Sequence, residues 1–95
     1  MLHILNQRFD APCAARMLHV VGESDDVVLI EQAVQAGLAP GWSGFSRCGK
    51  RIHLLQEDLS ALGLLDIARR HELSIIDMSE FLTLTERHEQ SVTWY

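Results

Sequence analysis

Two cysteines, five histidines and a scatter of serines and acids are the residues of this 95-residue chain that can do chemistry. Cys13 falls in the first turn of a predicted helix, where the dipole favours a thiolate and so a nucleophile or persulfide carrier. The competing reading is a half-buried thiol packed beside Ala14, since free cysteines usually behave as small hydrophobes. Cys48 lies in a glycine-rich stretch beside Arg47 and Lys50, cations that attract a thiolate; plain surface exposure competes with a sulfur-handling role. The two thiols form no C-x-x-C, so neither a zinc knuckle nor a thioredoxin-type redox pair is indicated. Reduced thiols in the cytoplasm fit this usage, and a disulfide stays open.

His3, His19, His53, His71 and His88 show no H-E-x-x-H or other close ligand spacing, so no metal is expected. Ser43 and Ser46 each resemble a nucleophile elbow, but both stretches lack the closing glycine and no strand leads into either, which argues against a serine hydrolase. The glycines never assemble into a phosphate-binding loop, and no cofactor is expected. Glu31 and Asp77 stand at predicted strand ends as acid or base candidates, with helix capping or water contact as the plainer roles.

The elements that must hold these residues are organised around Asp25 to Ala36. Val27-Val28-Leu29-Ile30 reads as a strand buried on both faces, and it runs through a polar corner at Glu31 into a short helix with apolar residues at 33, 34, 36 and 38. Such corners at the carboxyl ends of strands are where open α/β sheets keep their sites. Leu2–Leu5 reads as a first strand. A helix follows, with Asp10 as N-cap, Pro12 in its first turn, apolar residues at 11, 14, 15, 17, 18 and 21, and Gly22 as a left-handed stop. Gly37 to Lys50 holds four of the six glycines and reads as a loop, with Arg47, Lys50 and Arg51 as a solvated basic cluster.

Arg51 to Gln56 reads as another strand, Glu57 to Gly63 and Leu64 to His71 as helical turns, and Leu73 to Asp77 as a short strand. Ser79 is the expected N-cap of a helix over Glu80 to Gln90, on which Phe81, Leu84, Thr85 and His88 share a face. Val92 and Trp94 suit an edge strand or a docked tail. Alternating strands and helices without repeat or linker predict a single domain over residues 1–95, a three-layer α/β/α sandwich with a mainly parallel sheet.

Composition narrows the function. The apolar share of 47% against 22% charged residues excludes disorder and exceeds what a small monomer needs, so part of the surface is expected to be an interface. A formal charge of -5 gives no electrostatic reason to bind nucleic acid directly. No basic leader and no apolar run of membrane length is present, which predicts a soluble cytoplasmic protein without a membrane partner. Trp94, next to the last residue, is hard to explain as core and is expected to anchor onto a partner chain. Phe81 and His88 join it as interface candidates, His88 as a satisfied core or interface histidine.

In this light the chain resembles the TusB/DsrH family. The resemblance is carried by Met1-Leu2-His3-Ile4-Leu5-Asn6, by Asp26 to Ala36, by Glu57-Asp58-Leu59 with Gly63-Leu64, and by Ile76 to His88 ending near Trp94. It implies a DsrE-like fold with a parallel sheet of about five strands, and a place beside TusC-like and TusD-like paralogous subunits in a heterohexamer. It further implies persulfide transfer for 2-thiolation of the tRNA wobble uridine, tRNA being met through the complex. The sulfur-bearing cysteine of such assemblies belongs chiefly to the D-type subunit, so a structural or regulatory rather than enzymatic role follows for this chain.

Two positions depart from the pattern. Ala33 stands where members often have glycine, and the cysteine that some DsrH-type members carry falls near Met17 rather than at Cys13. The second departure favours the TusB branch over the sulfur-oxidising DsrH branch. A persulfide carrier using Cys13 or Cys48, and a free-standing homo-oligomeric regulator, are the rival readings.

Overall fold

The computed structural model describes residues 1–95. Five parallel strands, β1 (Leu2–Leu5), β2 (Asp26–Leu29), β3 (Ile52–Leu55), β4 (Ser74–Ile76) and β5 (Ser91–Trp94), form one sheet in the order β4-β3-β2-β1-β5. Each step from β1 to β4 moves one strand along the sheet, and the chain then returns across it to place β5 on the far side of β1. Right-handed crossovers put connections running one way on one face and a connection running back on the other. The helices obey this rule. α1 (Pro12–Val20), a 3₁₀ helix (Glu31–Leu38), α3 (Gln56–Ala61) and α4 (Leu65–Arg70) pack with Leu5, Val27, Leu29, Ile52 and Leu54, whereas α5 (Met78–Arg87) places Leu84 and Phe81 against Leu2, Val28 and Ile76.

The two faces are therefore covered unequally. The first holds a cluster of 16 buried residues and the second only four, because a single helix covers it. No helix is long and apolar enough to cross a membrane.

The predicted three-layer α/β/α architecture and all five strands are present, with boundaries within about two residues. Several local expectations are overturned. Gly37 to Lys50 is not a loop: the 3₁₀ helix runs to Leu38, α2 spans Ser43–Cys48, and a further 3₁₀ turn covers Gly49–Arg51. Two of its four glycines serve close packing. A side chain at Gly44 would meet the Trp42 indole at 2.5 Å, and one at Gly37 would press on Ala68 and Leu59 at 3.4 Å. Trp42 is wedged between Phe9 and Phe45, at ring separations of 5.9 and 5.4 Å, which gives α2 an apolar anchor despite its glycine.

Helix α1 begins after Ala11 with no side-chain cap, and Asp10 instead binds Arg8. Gly22 is not the left-handed stop; its N–H donates to Asp25 Oδ2 at 2.9 Å. The cap of α5 is Asp77 rather than Ser79, in a capping box closed by Glu80. The basic cluster is not simply solvated: Arg51 Nη1 donates to the carbonyls of Gly22 and Asp25, at 2.6 and 2.8 Å, and so clamps the turn between α1 and β2.

Candidate functional site

Strand alternation sends the consecutive acids Asp25 and Asp26 to opposite faces of the sheet at the amino end of β2. Each meets a histidine there. On the thickly covered face, Asp25 Oδ2 lies 2.9 Å from His3 Nε2 and also accepts the Gly22 N–H, while Oδ1 accepts from the Met1 amino group at 3.0 Å. The Trp94 indole N–H donates to His3 Nδ1 at 3.1 Å, its ring stacked 6.2 Å from the imidazole. An indole nitrogen only donates and a carboxylate only accepts, so His3 is the neutral tautomer with its proton on Nε2. Its side chain is wholly buried.

On the thinly covered face, the parallel register sets His53 beside Val28 on one neighbour and Ser74 on the other. His53 Nε2 lies 3.0 Å from Asp26 Oδ1 and Nδ1 lies 2.7 Å from Ser74 Oγ; His88, just past α5, places Nε2 2.9 Å from Asp26 Oδ2. The carboxylate fixes one proton, on His53 Nε2; the Ser74 hydroxyl, which can donate or accept, gives its proton to Nδ1 when the ring is neutral. His53 and Ser74 line a groove of about 350 Å³ between β4 and α5, whose other walls include Ile76, Leu84, Glu80 and Arg87.

Both carboxyls are held below the ordinary carboxylate range. For Asp25 the Gly22 N–H is the main cause, followed by His3. For Asp26 burial opposes the charged form, and the bonds from His53 and His88 outweigh it. Asp26, His53 and His88 do not converge on a metal-sized point, because the carboxylate stands between the two imidazoles.

The sequence candidates are dispersed. Cys13 and Cys48 are both buried in the larger core, the latter at the end of α2 rather than in an exposed loop. Trp94 sits in β5, the edge strand that is one of its two expected settings, with its N–H used inside the chain. Phe81 packs half-buried against the smaller core, and His88 is tied to Asp26. At the carboxyl end of β2, Glu31 adopts φ of +53° and its N–H donates to Asp58 Oδ2 at 2.7 Å. The left-handed residue of that corner is thus Glu31 itself, and Ala33 needs no glycine-like freedom. The polar network lies at the amino ends of the strands, opposite to the end expected. Asp25, Asp26, His3, His53 and Ser74 were not assembled from sequence, because their only signal is face parity across strands whose pairing had to be known first.

The family model described as DsrH like protein matches residues 9–91. Protein TusB of Photorhabdus laumondii subsp. laumondii is 31% identical over 77 residues, covering 79% of this chain and 80% of that one. Protein TusB of Sodalis glossinidius is 29% identical over 99% of this chain and the whole of the other. The solution NMR structure of Protein Tm0979 from Thermotoga maritima shares the fold, with a TM-score of 0.68 and 22% identity over 95% of this chain and 97% of that one. The chain belongs to the DsrH-like family.

Proposed function

We propose that the chain is a subunit of a heteromeric sulfur-relay complex that takes no direct part in the sulfur chemistry. In this reading, TusC-like and TusD-like subunits complete a heterohexamer in the cytoplasm, which passes persulfide sulfur towards 2-thiolation of the tRNA wobble uridine. The observation that carries the non-catalytic part is the burial of both thiols, Cys13 at 5% and Cys48 at 6% exposure, since sulfur-transferring cysteines sit in accessible, electropositive surroundings. Family membership supports the relay part. The charge of -5 suits a chain that meets tRNA only through its partners.

Phe81, His88 and Trp94 remain the proposed interface residues, each leaving part of its side chain accessible, with the exposed Leu82 and Met78 beside Phe81 on α5. Native mass spectrometry of the chain co-expressed with C-type and D-type paralogues tests the reading. A stable heteromer is expected, weakened by Leu82→Glu, a change at a residue that the fold does not need. A chain that stays alone, yet gains the mass of one sulfur atom from a persulfide donor and loses that gain in Cys13→Ser or Cys48→Ser, would overturn it in favour of the carrier.

A further inference from the structure

We propose that Ser74, His53 and Asp26 form a hydrolytic site for small uncharged esters in the groove between β4 and α5, an activity separate from the subunit role. The three groups are in reach of one another: Ser74 Oγ lies 2.7 Å from His53 Nδ1, positioned to donate to the neutral ring, and His53 Nε2 meets Asp26 at 3.0 Å. Nδ1 faces the serine and Nε2 the carboxylate, the reverse of the usual arrangement, with the roles of nucleophile, base and orienting carboxylate each filled. His88 holds the second oxygen of Asp26 and so orients the carboxylate towards His53. The nucleophile faces space, since Ser74 and His53 both line the 350 Å³ groove.

The groove also contains an electrophile-stabilising group. Arg87 lines it and takes part in none of the chain's five ion pairs, so its guanidinium is available to an oxyanion. The substrate class follows from the walls. Ile76 and Leu84 suit an acyl chain, and one cation offset by Glu80 leaves the groove close to neutral, which disfavours a phosphate dianion.

In the first step Ser74 Oγ bonds to the ester carbonyl carbon as its proton passes to His53 Nδ1, and the imidazolium is stabilised by Asp26. The bond from carbon to the leaving oxygen then breaks, and that oxygen takes the proton from His53. Water, deprotonated in turn by His53, adds to the acyl-serine and releases the carboxylic acid, restoring the hydroxyl. Ser74 and His53 are the catalytic residues and Asp26 is a positioning residue.

The test is labelling of the purified chain with a fluorophosphonate, followed by intact mass and peptide mapping, alongside release of nitrophenol from p-nitrophenyl butyrate. One adduct on Ser74 is expected, absent in Ser74→Ala prepared identically. His53→Gln should slow labelling by about 100-fold, the usual worth of a general base. Asp26→Asn should lower the rate and displace its pH profile, which a purely structural loss would not do. Arg87→Met should reduce nitrophenol release while circular dichroism stays unchanged. An unlabelled wild-type chain, or labelling and hydrolysis that persist in Ser74→Ala, overturns the proposal.

Discussion

Two Asp–His pairs stand side by side at the amino end of β2, built from adjacent aspartates, and they differ in what closes them. Asp25–His3 ends on an indole in a sealed interior, and Asp26–His53 ends on a hydroxyl at an open groove. Both imidazoles give a proton from Nε2 to their carboxylate; His3 accepts at Nδ1 from the indole, and His53 in its neutral form accepts there from the Ser74 hydroxyl. The first has nowhere to send a proton, because the indole N–H cannot be given up at ordinary pH, and it acts as a clasp between β1, the turn before β2, and β5. The second accepts from a group that can lose its proton and become a nucleophile. Identical pairing thus makes a fastener on the face covered by α1 and its neighbours and a reactive site on the face that α5 alone covers.

The largest effect that separates the two is loss of the imidazole. His3→Ala leaves the Trp94 N–H unpaired beside a new cavity and takes one of its three donors from Asp25, whose Oδ2 keeps the Gly22 N–H, at a cost of about 3–5 kcal/mol. His53→Ala, whose side chain is 16% exposed, costs about 1–2 kcal/mol, since groove water can reach Ser74 and Asp26 keeps His88. Urea unfolding midpoints measure both. Equal costs would mean that the sealed and open pairs are not different in kind.

Acid comes next. Both carboxyls titrate below their unfolded value, so the stability they contribute is complete above the unfolded carboxylate pKa, near 3.9, and is lost as pH falls through the folded values. Melting temperature should therefore decline below about pH 4. Asp25→Asn should flatten that decline more than Asp26→Asn, because Asp25 gathers three donors and its charge is not opposed chiefly by burial. At pH 7 the two substitutions should cost about 2 and 1 kcal/mol, as expected for bonds to a charged acceptor. A steeper residual acid slope in Asp25→Asn than in Asp26→Asn would reverse the assignment.

The fold was legible because its signals are local. Val27 to Leu29 announces a buried strand by composition alone, and Gly63, at φ +72°, marks a true break after α3. Gly44 and Gly37 misled for a physical reason: glycine that frees a backbone and glycine that admits a neighbour's ring or methyl look the same in sequence. The cap of α5 went to Asp77 over Ser79 because Glu80 closes a box only with the former. The polar pairs were illegible for a deeper reason. Ser74 lies 21 residues from His53, and His88 lies 62 from Asp26, so only the register of the parallel sheet brings them together. The acceptor of the Trp94 N–H was illegible for the same reason, since parallel pairing of β5 with β1 supplies it from the third residue of the same chain.

The smallest effects give the sharpest contrast, because they remove only the donor that closes each pair. Trp94→Phe keeps much of the ring packing and deletes the N–H, leaving His3 Nδ1 without a partner in a site that water does not reach; about 1–2 kcal/mol of stability should be lost. Ser74→Ala deletes the hydroxyl at the groove wall, where a water can take its place on His53 Nδ1, and about 0.5 kcal/mol or less should be lost. Reactivity should order the two the other way: Trp94→Phe labels with the fluorophosphonate at the wild-type rate, and Ser74→Ala does not label at all. Stability and reactivity would then be carried by different members of one repeated design, whereas a large stability loss in Ser74→Ala would mean that the hydroxyl, like the indole, is a fastener. Paired urea melts and intact-mass labelling of the two variants decide between these outcomes.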